Sequence, residues 1–227
     1  MLRDFFSLFF PKRCAACKQV LVCGEQWVCT RCVCTLPHTD YHRMCENTVL
    51  YKLCGRTAVH RAAAMYAFRK GGRVQHLLHC LKYGDMPQMG IWLGERYGAM
   101  LKLAGWHSIL DVIVPVPLHQ KRLQQRGYNQ SAVFAAGLSR SLSIPWSDQL
   151  LQRVRSTESQ TGKSRRARIQ NVENAFCMGP DWNRQAKPSV LLVDDVITTG
   201  ATLEACCQAL LLAGAVEISV AALAVAE

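Results

Sequence analysis

Acidic residues and long apolar runs are both scarce in this sequence. Sixteen Asp and Glu stand against 27 Lys and Arg, which leaves a formal net charge of +11. This excess of base predicts an anionic partner, either phosphate ligands or nucleic acid, unless it only makes a basic surface. No stretch contains ~18 consecutive apolar residues, so the sequence predicts no transmembrane helix.

The first residues, MLRDFFSLFFP, lack the features of a signal peptide. Asp4 interrupts a short apolar run, and no small-residue cleavage site follows it. We expect instead an apolar turn that packs on the protein, and a cytoplasmic chain. The sequence also lacks internal repeats and low-complexity linkers. Its 227 residues suit one domain of ordinary size plus a small one.

Three zones follow one another along the chain. Residues 1–57 are rich in cysteine, and residues 58–110 have apolar residues at the three- and four-residue spacing of helices, as in VQHLLHCLKY and IWLGERYGAMLKLAG. From Asp111 onward, strands and helices alternate. The predicted strands are DVIVPVP, SVLLV and EISVAALAVA, and the predicted helices are YNQSAVFAAGLSRSL, SRRARIQNVENAF and ATLEACCQALLLAGA. This alternation indicates an α/β fold, with helices on both faces of a parallel sheet.

Cysteines are concentrated in the first zone, where eight of the twelve lie at or before Cys54. Two C-x2-C pairs, Cys14 with Cys17 and Cys29 with Cys32, are separated by eleven residues. Two such pairs supply the tetrahedral four-thiolate shell that zinc prefers, and a shell made only of protein ligands predicts a structural zinc. Weaker candidate ligands form no further pair: Cys23, Cys34, Cys45, Cys54, His38, His42 and His60. The HLLHC segment, with His76, His79 and Cys80, fits core or surface positions of a helix better than a metal site.

The segment VLLVDDVITTGAT, residues 190–202, places two adjacent carboxylates after an apolar strand. If Val190–Val193 is the strand, Asp194 and Asp195 stand at its carboxyl end, where α/β sheets bind ligands. The following loop offers threonine hydroxyls, a permissive glycine and the free N–H groups of a helix start, which together suit a phosphate monoester. Carboxylates accept hydrogen bonds from vicinal hydroxyls. The pattern therefore predicts a ligand that is a sugar 5-phosphate, and the absence of Gly-Lys-Thr/Ser excludes a Walker loop.

This segment resembles the 5-phosphoribosyl 1-pyrophosphate (PRPP) motif of type I phosphoribosyltransferases. The resemblance implies that Asp194 and Asp195 hold the ribose hydroxyls and that Mg²⁺ bridges pyrophosphate and ribose oxygens. It also implies that one loop holds the 5-phosphate, formed by Thr198, Thr199, Gly200, Ala201 and Thr202.

A basic cluster precedes the helix YNQSAVFAAGLSRSL. Lys121, Arg122 and Arg126 come before Gly127, and a departing pyrophosphate needs positive charge and close backbone approach. We therefore assign Arg126 and Gly127 to the PRPP site, with Arg126, Asp194 and Asp195 as the catalytic residues. RGYNQS resembles the ComF family, named for competence for DNA uptake, in which a cysteine zinc knuckle precedes a phosphoribosyltransferase domain.

The ComF resemblance covers essentially the whole chain and sets the expected architecture. It implies a zinc-knuckle segment at 1–57 and a type I phosphoribosyltransferase-like domain at 58–227, in which 58–110 form a helical hood over the acceptor. Relatives often carry further cysteine pairs in the head, whereas this chain has only Cys45 and Cys54 there. That difference argues against a second zinc.

Two hypotheses about function remain open from the sequence. In the first, the chain is an enzyme that transfers phosphoribose from PRPP to an unidentified acceptor. In the second, it is a non-catalytic component of DNA uptake that binds single-stranded DNA or a helicase. Between Pro117 and Arg168 there are ten Lys or Arg and only two acids. The basic, polar segment RVRSTESQTGKSRRAR in this stretch suits either hypothesis, as a mobile loop that closes over PRPP or as a contact with DNA phosphates. A solvated surface helix is the third interpretation.

Overall fold

The structure is a computed structural model, and it describes residues 11–153, 175–183 and 185–227. The helices are α1 (Thr30–Thr35), α2 (Thr48–Leu53), α3 (Arg73–Tyr83), α4 (Pro87–Leu103), α5 (Gln120–Arg126), α6 (Gln130–Leu142) and α7 (Ala201–Leu212). The strands are β1 (Arg61–Phe68), β2 (Val112–Pro115), β3 (Leu151–Arg153), β4 (Phe176–Met178), β5 (Ser189–Ile197) and β6 (Glu217–Ala226). Short 3-10 turns occur at Tyr41–Arg43 and Trp106–Ile109.

In the described part of the chain, four strands form a parallel sheet in the order β1-β6-β5-β2. Alternate residues of β5 belong to different apolar clusters. Leu191 and Val193 pack with α3, α4 and α6, whereas Val190 and Leu192 pack with α2 and α7. Both faces of the sheet are therefore covered, which explains why its strands are almost continuously apolar. The predicted parallel sheet with helices on both faces is confirmed.

Helices α4 and α6 approach each other closely through glycines. A Cβ added at Gly137 would lie 2.1 Å from the carbonyl oxygen of Ile91, and one added at Gly94 would lie 2.2 Å from that of Phe134. At these two positions the helices are so close that no side chain fits between them. Helix α6 begins after Asn129, whose side chain caps it by accepting a hydrogen bond from the amide of Ser131 at 3.0 Å.

The expectation of helices throughout 58–110 is wrong for Arg61–Phe68, which forms the edge strand β1. The sequence RAAAMYAF is rich in alanine, which has the highest helix propensity, but here pairing with β6 decides the conformation. Helices α3 and α4 occupy the rest of the zone, as expected. Strand β5 is longer than the predicted SVLLV, because it continues to Ile197. Helix α7 ends at Leu212, three residues before the end of the predicted segment ATLEACCQALLLAGA.

The cysteine-rich segment runs along the free edge of β1. The amide of Thr39 donates to the carbonyl of Met65 at 3.2 Å, and that of Ala67 donates to the carbonyl of Pro37 at 2.9 Å. Asn47 accepts from the first amides of α2 and donates to the carbonyl of Ala62 at 2.8 Å. The head therefore satisfies backbone groups that an exposed edge strand would leave unpaired. The division of the chain at residue 57 and the role of a hood stay predictions.

Three predicted features lie outside the described residues: the N-terminal apolar turn, the basic segment RVRSTESQTGKSRRAR beyond Arg153, and most of the basic helix SRRARIQNVENAF. None of the helices that the structure describes has both the length and the apolarity needed to cross a bilayer. Cys206 and Cys207 are fully buried in α7 and belong to the apolar core.

Candidate functional site

The four cysteines of the two C-x2-C pairs form one cluster. Their sulfur atoms all lie within 4.8 Å of one another, and the Sγ atoms of Cys17 and Cys29 are 3.7 Å apart. A tetrahedral zinc with bonds of about 2.3 Å has sulfur–sulfur edges of about 3.8 Å. The cluster therefore fits zinc as the sequence predicts, and the fold brings together Cys14, Cys17, Cys29 and Cys32.

Backbone and arginine donors surround this cluster. Burial raises the pKa of the Cys14 thiol, but backbone amides, that of Cys29 foremost at 3.3 Å, outweigh it and lower this pKa to about 7. On α3, Arg73 points Nη1 at the sulfur of Cys32 at 3.7 Å and donates to the hydroxyl of Thr35 at 2.8 Å. These contacts of Arg73 join the cysteine cluster to α3. Burial nevertheless raises the pKa of the Cys32 thiol to about 12, because the arginine offsets only part of the desolvation.

The weaker candidate ligands lie elsewhere. Cys23, Cys34, Cys45 and Cys54 are exposed, and no second group of three ligands occurs in the ranges that the structure describes. The Nδ1 atom of His76 is 3.1 Å from the carbonyl oxygen of Ala16, and the Cys80 thiol donates to the carbonyl of Ala15 at 3.8 Å. Side chains of the HLLHC segment thus contact backbone carbonyls beside the cysteine cluster.

Asp194 and Asp195 lie within β5 and not after it. Strand β2 ends at Pro115, which is opposite Val193, so beyond that point β5 is paired with β6 alone. The two aspartates therefore stand beside the notch that the short β2 leaves at the carboxyl edge of the sheet. This is the place where parallel α/β sheets bind ligands.

The two carboxylates have different partners. Asp194 Oδ1 accepts from the hydroxyl of Ser131 at 3.2 Å and from the amide of Asp195 at 2.8 Å. Asp195 Oδ2 lies 2.8 Å from Nζ of Lys82. Burial, and then the negative charge of Asp195, raise the pKa of Asp194 to about 7 in spite of these donors.

The threonine loop turns at Gly200, whose φ of +82° favours glycine. A cavity of about 30 Å³ lies inside this turn, lined by Asp194 and by the residues from Val196 to Leu203. Helix α7 starts at Ala201, so its first N–H groups lie at this cavity. From the head, Lys52 and Arg56 donate to the carbonyls of Thr198 and Thr199, each at 3.3 Å, and thereby tie the loop to α2.

A cavity of about 450 Å³ connects the two aspartates with the threonine loop. Its charged lining consists of four cations, a histidine and two acids: Lys82, Arg122, Arg126, Arg153, His79, Asp194 and Asp195. Thr198 and Thr202 reach it from the loop, and Ser131 and Gln130 from α6. Arg126 donates to Gln130 at 2.7 Å and lies over the ring of Tyr83. The fold thus gathers Arg126, both aspartates and the threonine loop around one space.

Lys121 and Gly127, from the same segment as Arg126, do not contribute to this cavity as Arg126 does. Lys121 faces a neighbouring groove of about 1340 Å³. The amide of Gly127 is used to cap α5, since it donates to Leu123 at 2.8 Å, so its assignment to PRPP stays a prediction. The sequence alone does not assign Lys82, Arg153 and Ser131 to the site. Ser131 is the last residue of RGYNQS, and Arg153 begins the basic segment for which a loop over PRPP is one interpretation. The surroundings of Lys82 carry no such signal.

Comparison with known proteins agrees with this geometry. Residues 129–226, which include α6, the aspartates and the threonine loop, match the phosphoribosyl transferase domain. The C-terminal part of the chain is therefore a domain of the phosphoribosyltransferase type.

Relatives over the whole chain identify the family. Competence protein F of Haemophilus influenzae is 31% identical over 225 residues, which cover 95% of this chain and 98% of that protein. The DNA utilization protein YhgH of Escherichia coli (strain K12) is 30% identical over 233 residues, 94% of this chain and 96% of that protein. Competence protein ComFC of Bacillus subtilis is 34% identical over 101 residues, 44% of this chain and 38% of that protein. The chain belongs to this competence protein F (ComF) family, as the resemblance predicted.

Proposed function

We propose that this protein binds PRPP with Mg²⁺ and transfers its phosphoribosyl group to an acceptor, in a process linked to DNA uptake. One observation carries the proposal. A single cavity of about 450 Å³ is lined by paired strand-end aspartates, by the hydroxyl loop that opens α7, and by arginines of α5. Each part suits one portion of PRPP: the ribose hydroxyls, the 5-phosphate and the pyrophosphate.

The charge of the cavity supports a polyanionic ligand. Among the described residues, four Lys or Arg side chains line it against two aspartates. The raised pKa of Asp194 means that its carboxylate is poorly solvated. Donors such as ribose hydroxyls would supply the hydrogen bonds that this carboxylate needs.

The proposed transfer forms a bond between a nucleophile of the acceptor and C1 of the ribose, while the bond from C1 to a pyrophosphate oxygen breaks. Asp194 and Asp195 would orient the ribose, and Arg122 and Arg126 would stabilise the charge of the departing pyrophosphate. Both carboxylates offer the oxygen ligands that Mg²⁺ prefers. When bound, the metal ion would neutralise part of the charge on pyrophosphate.

We assign the four-cysteine cluster a structural zinc. The sulfur separations fit a tetrahedral shell in which protein atoms fill every position. The buried cysteines belong to the same apolar cluster as α3, α4 and α6. Zinc would therefore stabilise the head and, through Lys52 and Arg56 on and after α2, the position of the threonine loop.

The second candidate is a non-catalytic role in binding single-stranded DNA or a helicase. The net charge of +11 favours it, as do the printed names of the relatives, which concern competence and DNA utilization. Helix α5 has no buried residue and presents Lys121 beside a groove that also contains the partly exposed Trp146. Basic and aromatic side chains together suit a nucleic-acid strand, whose binding would weaken steeply with salt.

Calorimetric titration of PRPP, with and without Mg²⁺, tests the proposed function. The wild type should bind PRPP only weakly unless Mg²⁺ is present, and the double variant Asp194→Ala/Asp195→Ala should not bind. Asp148→Ala is the matched control, because Asp148 is exposed and faces the neighbouring groove. Release of pyrophosphate with a candidate acceptor would establish turnover. If the folded, zinc-loaded wild type does not bind PRPP, the enzyme proposal is wrong and the second candidate becomes the leading one.

A further inference from the structure

Lys82 occupies the last turn of α3 and points into the candidate PRPP cavity. Its ammonium is 2.8 Å from Asp195 Oδ2, with side-chain exposures of 24% and 17%. Within the described ranges, no other Lys or Arg lies within 4.0 Å of either aspartate. Arg122 and Arg126 line the same cavity but lie beyond that distance. Lys82 is therefore the counterion of Asp195 in this site.

The backbone that carries Lys82 is firmly held. Leu77, Leu78 and Leu81 on the same helix are buried, and the hydroxyl of Tyr128 donates to the carbonyl of Leu81. The chain turns closely at the end of α3, because a Cβ on Gly84 would lie only 2.6 Å from the carbonyl oxygen of Cys80. Only the side chain beyond Cα is free to move, and a lysine is a compact charge on a flexible stem of four carbons.

The ion pair occupies one of the oxygens that the proposed substrate would use. The ammonium of Lys82 lies against Oδ2 of Asp195, so a ribose hydroxyl that binds at this oxygen would have to displace it. PRPP also brings a pyrophosphate group into a cavity of which Lys82 forms part of the wall. A positive charge near that group stabilises it more than it stabilises a sugar phosphate that has no pyrophosphate.

We infer that Lys82 is a charge-exchange residue: it pairs with Asp195 before PRPP binds and moves to the pyrophosphate as the ribose hydroxyls take its place. This inference rests on the proposed function. No covalent bond changes. The role of Lys82 is to balance negative charge in the site at every stage, first that of Asp195 and then that of pyrophosphate. Binding thereby becomes selective for a ribose phosphate that carries pyrophosphate.

Calorimetry with three ligands tests this role: Mg²⁺–PRPP, Mg²⁺–pyrophosphate and ribose 5-phosphate, each with wild type, Lys82→Gln and Lys82→Arg. Loss of the charge should raise the Kd of PRPP and of pyrophosphate about tenfold. The Kd of ribose 5-phosphate should stay unchanged or fall, because Asp195 is no longer occupied. Lys82→Arg should recover part of the PRPP affinity. Lys121→Gln, an exposed change in the neighbouring groove, should match the wild type.

The outcomes separate this inference from the proposed function. If the wild type binds PRPP and Lys82→Gln binds it equally well, the role of Lys82 is refuted and the proposed function stands. Equal weakening of all three ligands also refutes charge exchange, since it would show that Lys82 only maintains the shape of the site. If the wild type binds none of the three, the proposed function fails and the inference fails with it.

Discussion

Asp194→Asn should make the protein more stable at pH 8 while it abolishes PRPP binding. The asparagine oxygen can accept the same hydrogen bonds from Ser131 and from the amide of Asp195, so the change removes charge and little else. Burial and the neighbouring charge of Asp195 raise the pKa of Asp194 from 3.8 to about 7. The folded protein therefore binds this proton more tightly than the unfolded chain does.

The sign and size of the effect follow from that difference. The favourable contribution is fully present below pH 3.8 and is lost as the pH rises through about 7. At 1.36 kcal/mol per pKa unit the full cost of the ionised carboxyl is about 4 kcal/mol. With a folded pKa of about 7, roughly half of this cost is present at pH 5.5 and nearly all of it at pH 8. The gain in stability should therefore be about 2 kcal/mol at pH 5.5 and about 4 kcal/mol at pH 8.

Urea unfolding of both proteins at pH 5.5, 6.5 and 8, without Mg²⁺ or phosphate, measures this difference. Any loss of bound metal at low pH would affect both proteins alike and would cancel in the comparison. Asp148→Asn, on an exposed side chain, should change stability by less than about 0.5 kcal/mol at each pH. A variant that is no more stable than the wild type at pH 8, or a difference that does not grow with pH, would refute the argument.

Three further substitutions test other parts of the molecule. Cys14→Ala should abolish the bound zinc measured by metal analysis, whereas Cys23→Ala, at an exposed thiol, should retain it; zinc in both would place the metal elsewhere. Gly137→Ala should lower the free energy of unfolding by about 1–3 kcal/mol, because its Cβ would lie 2.1 Å from a carbonyl of α4, and unchanged urea unfolding would show that α4 and α6 can separate. Gly200→Ala should weaken PRPP binding about tenfold, since a φ of +82° and a contact of 2.9 Å with Leu53 oppose it; wild-type affinity by calorimetry would contradict this.

Local spacing explains the features that the sequence predicted well. The two C-x2-C pairs each form a knuckle within a few residues, so the four sulfur atoms are found together. The alternation of apolar strands and helices after Asp111 likewise determines the parallel sheet. The aspartates and the threonine loop are contiguous in the chain, and a contiguous motif can be recognised without knowing the fold.

Features that depend on distant contacts were not predicted. Strand β1 has a sequence that favours a helix, and only pairing with β6 makes it a strand. Lys82 belongs to a segment read as a helix with an undetermined face, and its contact with Asp195 exists because α3 ends beside the carboxyl edge of β5. The notch beside Asp194 exists because β2 ends early, at Pro115. Strand propensity alone does not locate that boundary.

The central position of β6 has a consequence for the order in which the protein is made. Arg61 pairs with Ser219 and Ser189 pairs with Glu217, so the sheet stays in two parts until the ribosome has released β6. The four cysteines that we propose as zinc ligands, by contrast, have all been synthesised once Cys32 is made. Metal binding can therefore begin early in translation, while β1 and β5 wait with apolar, unpaired edges that need protection from aggregation. The sheet therefore closes only when the last of its four strands is available, and slow folding is expected.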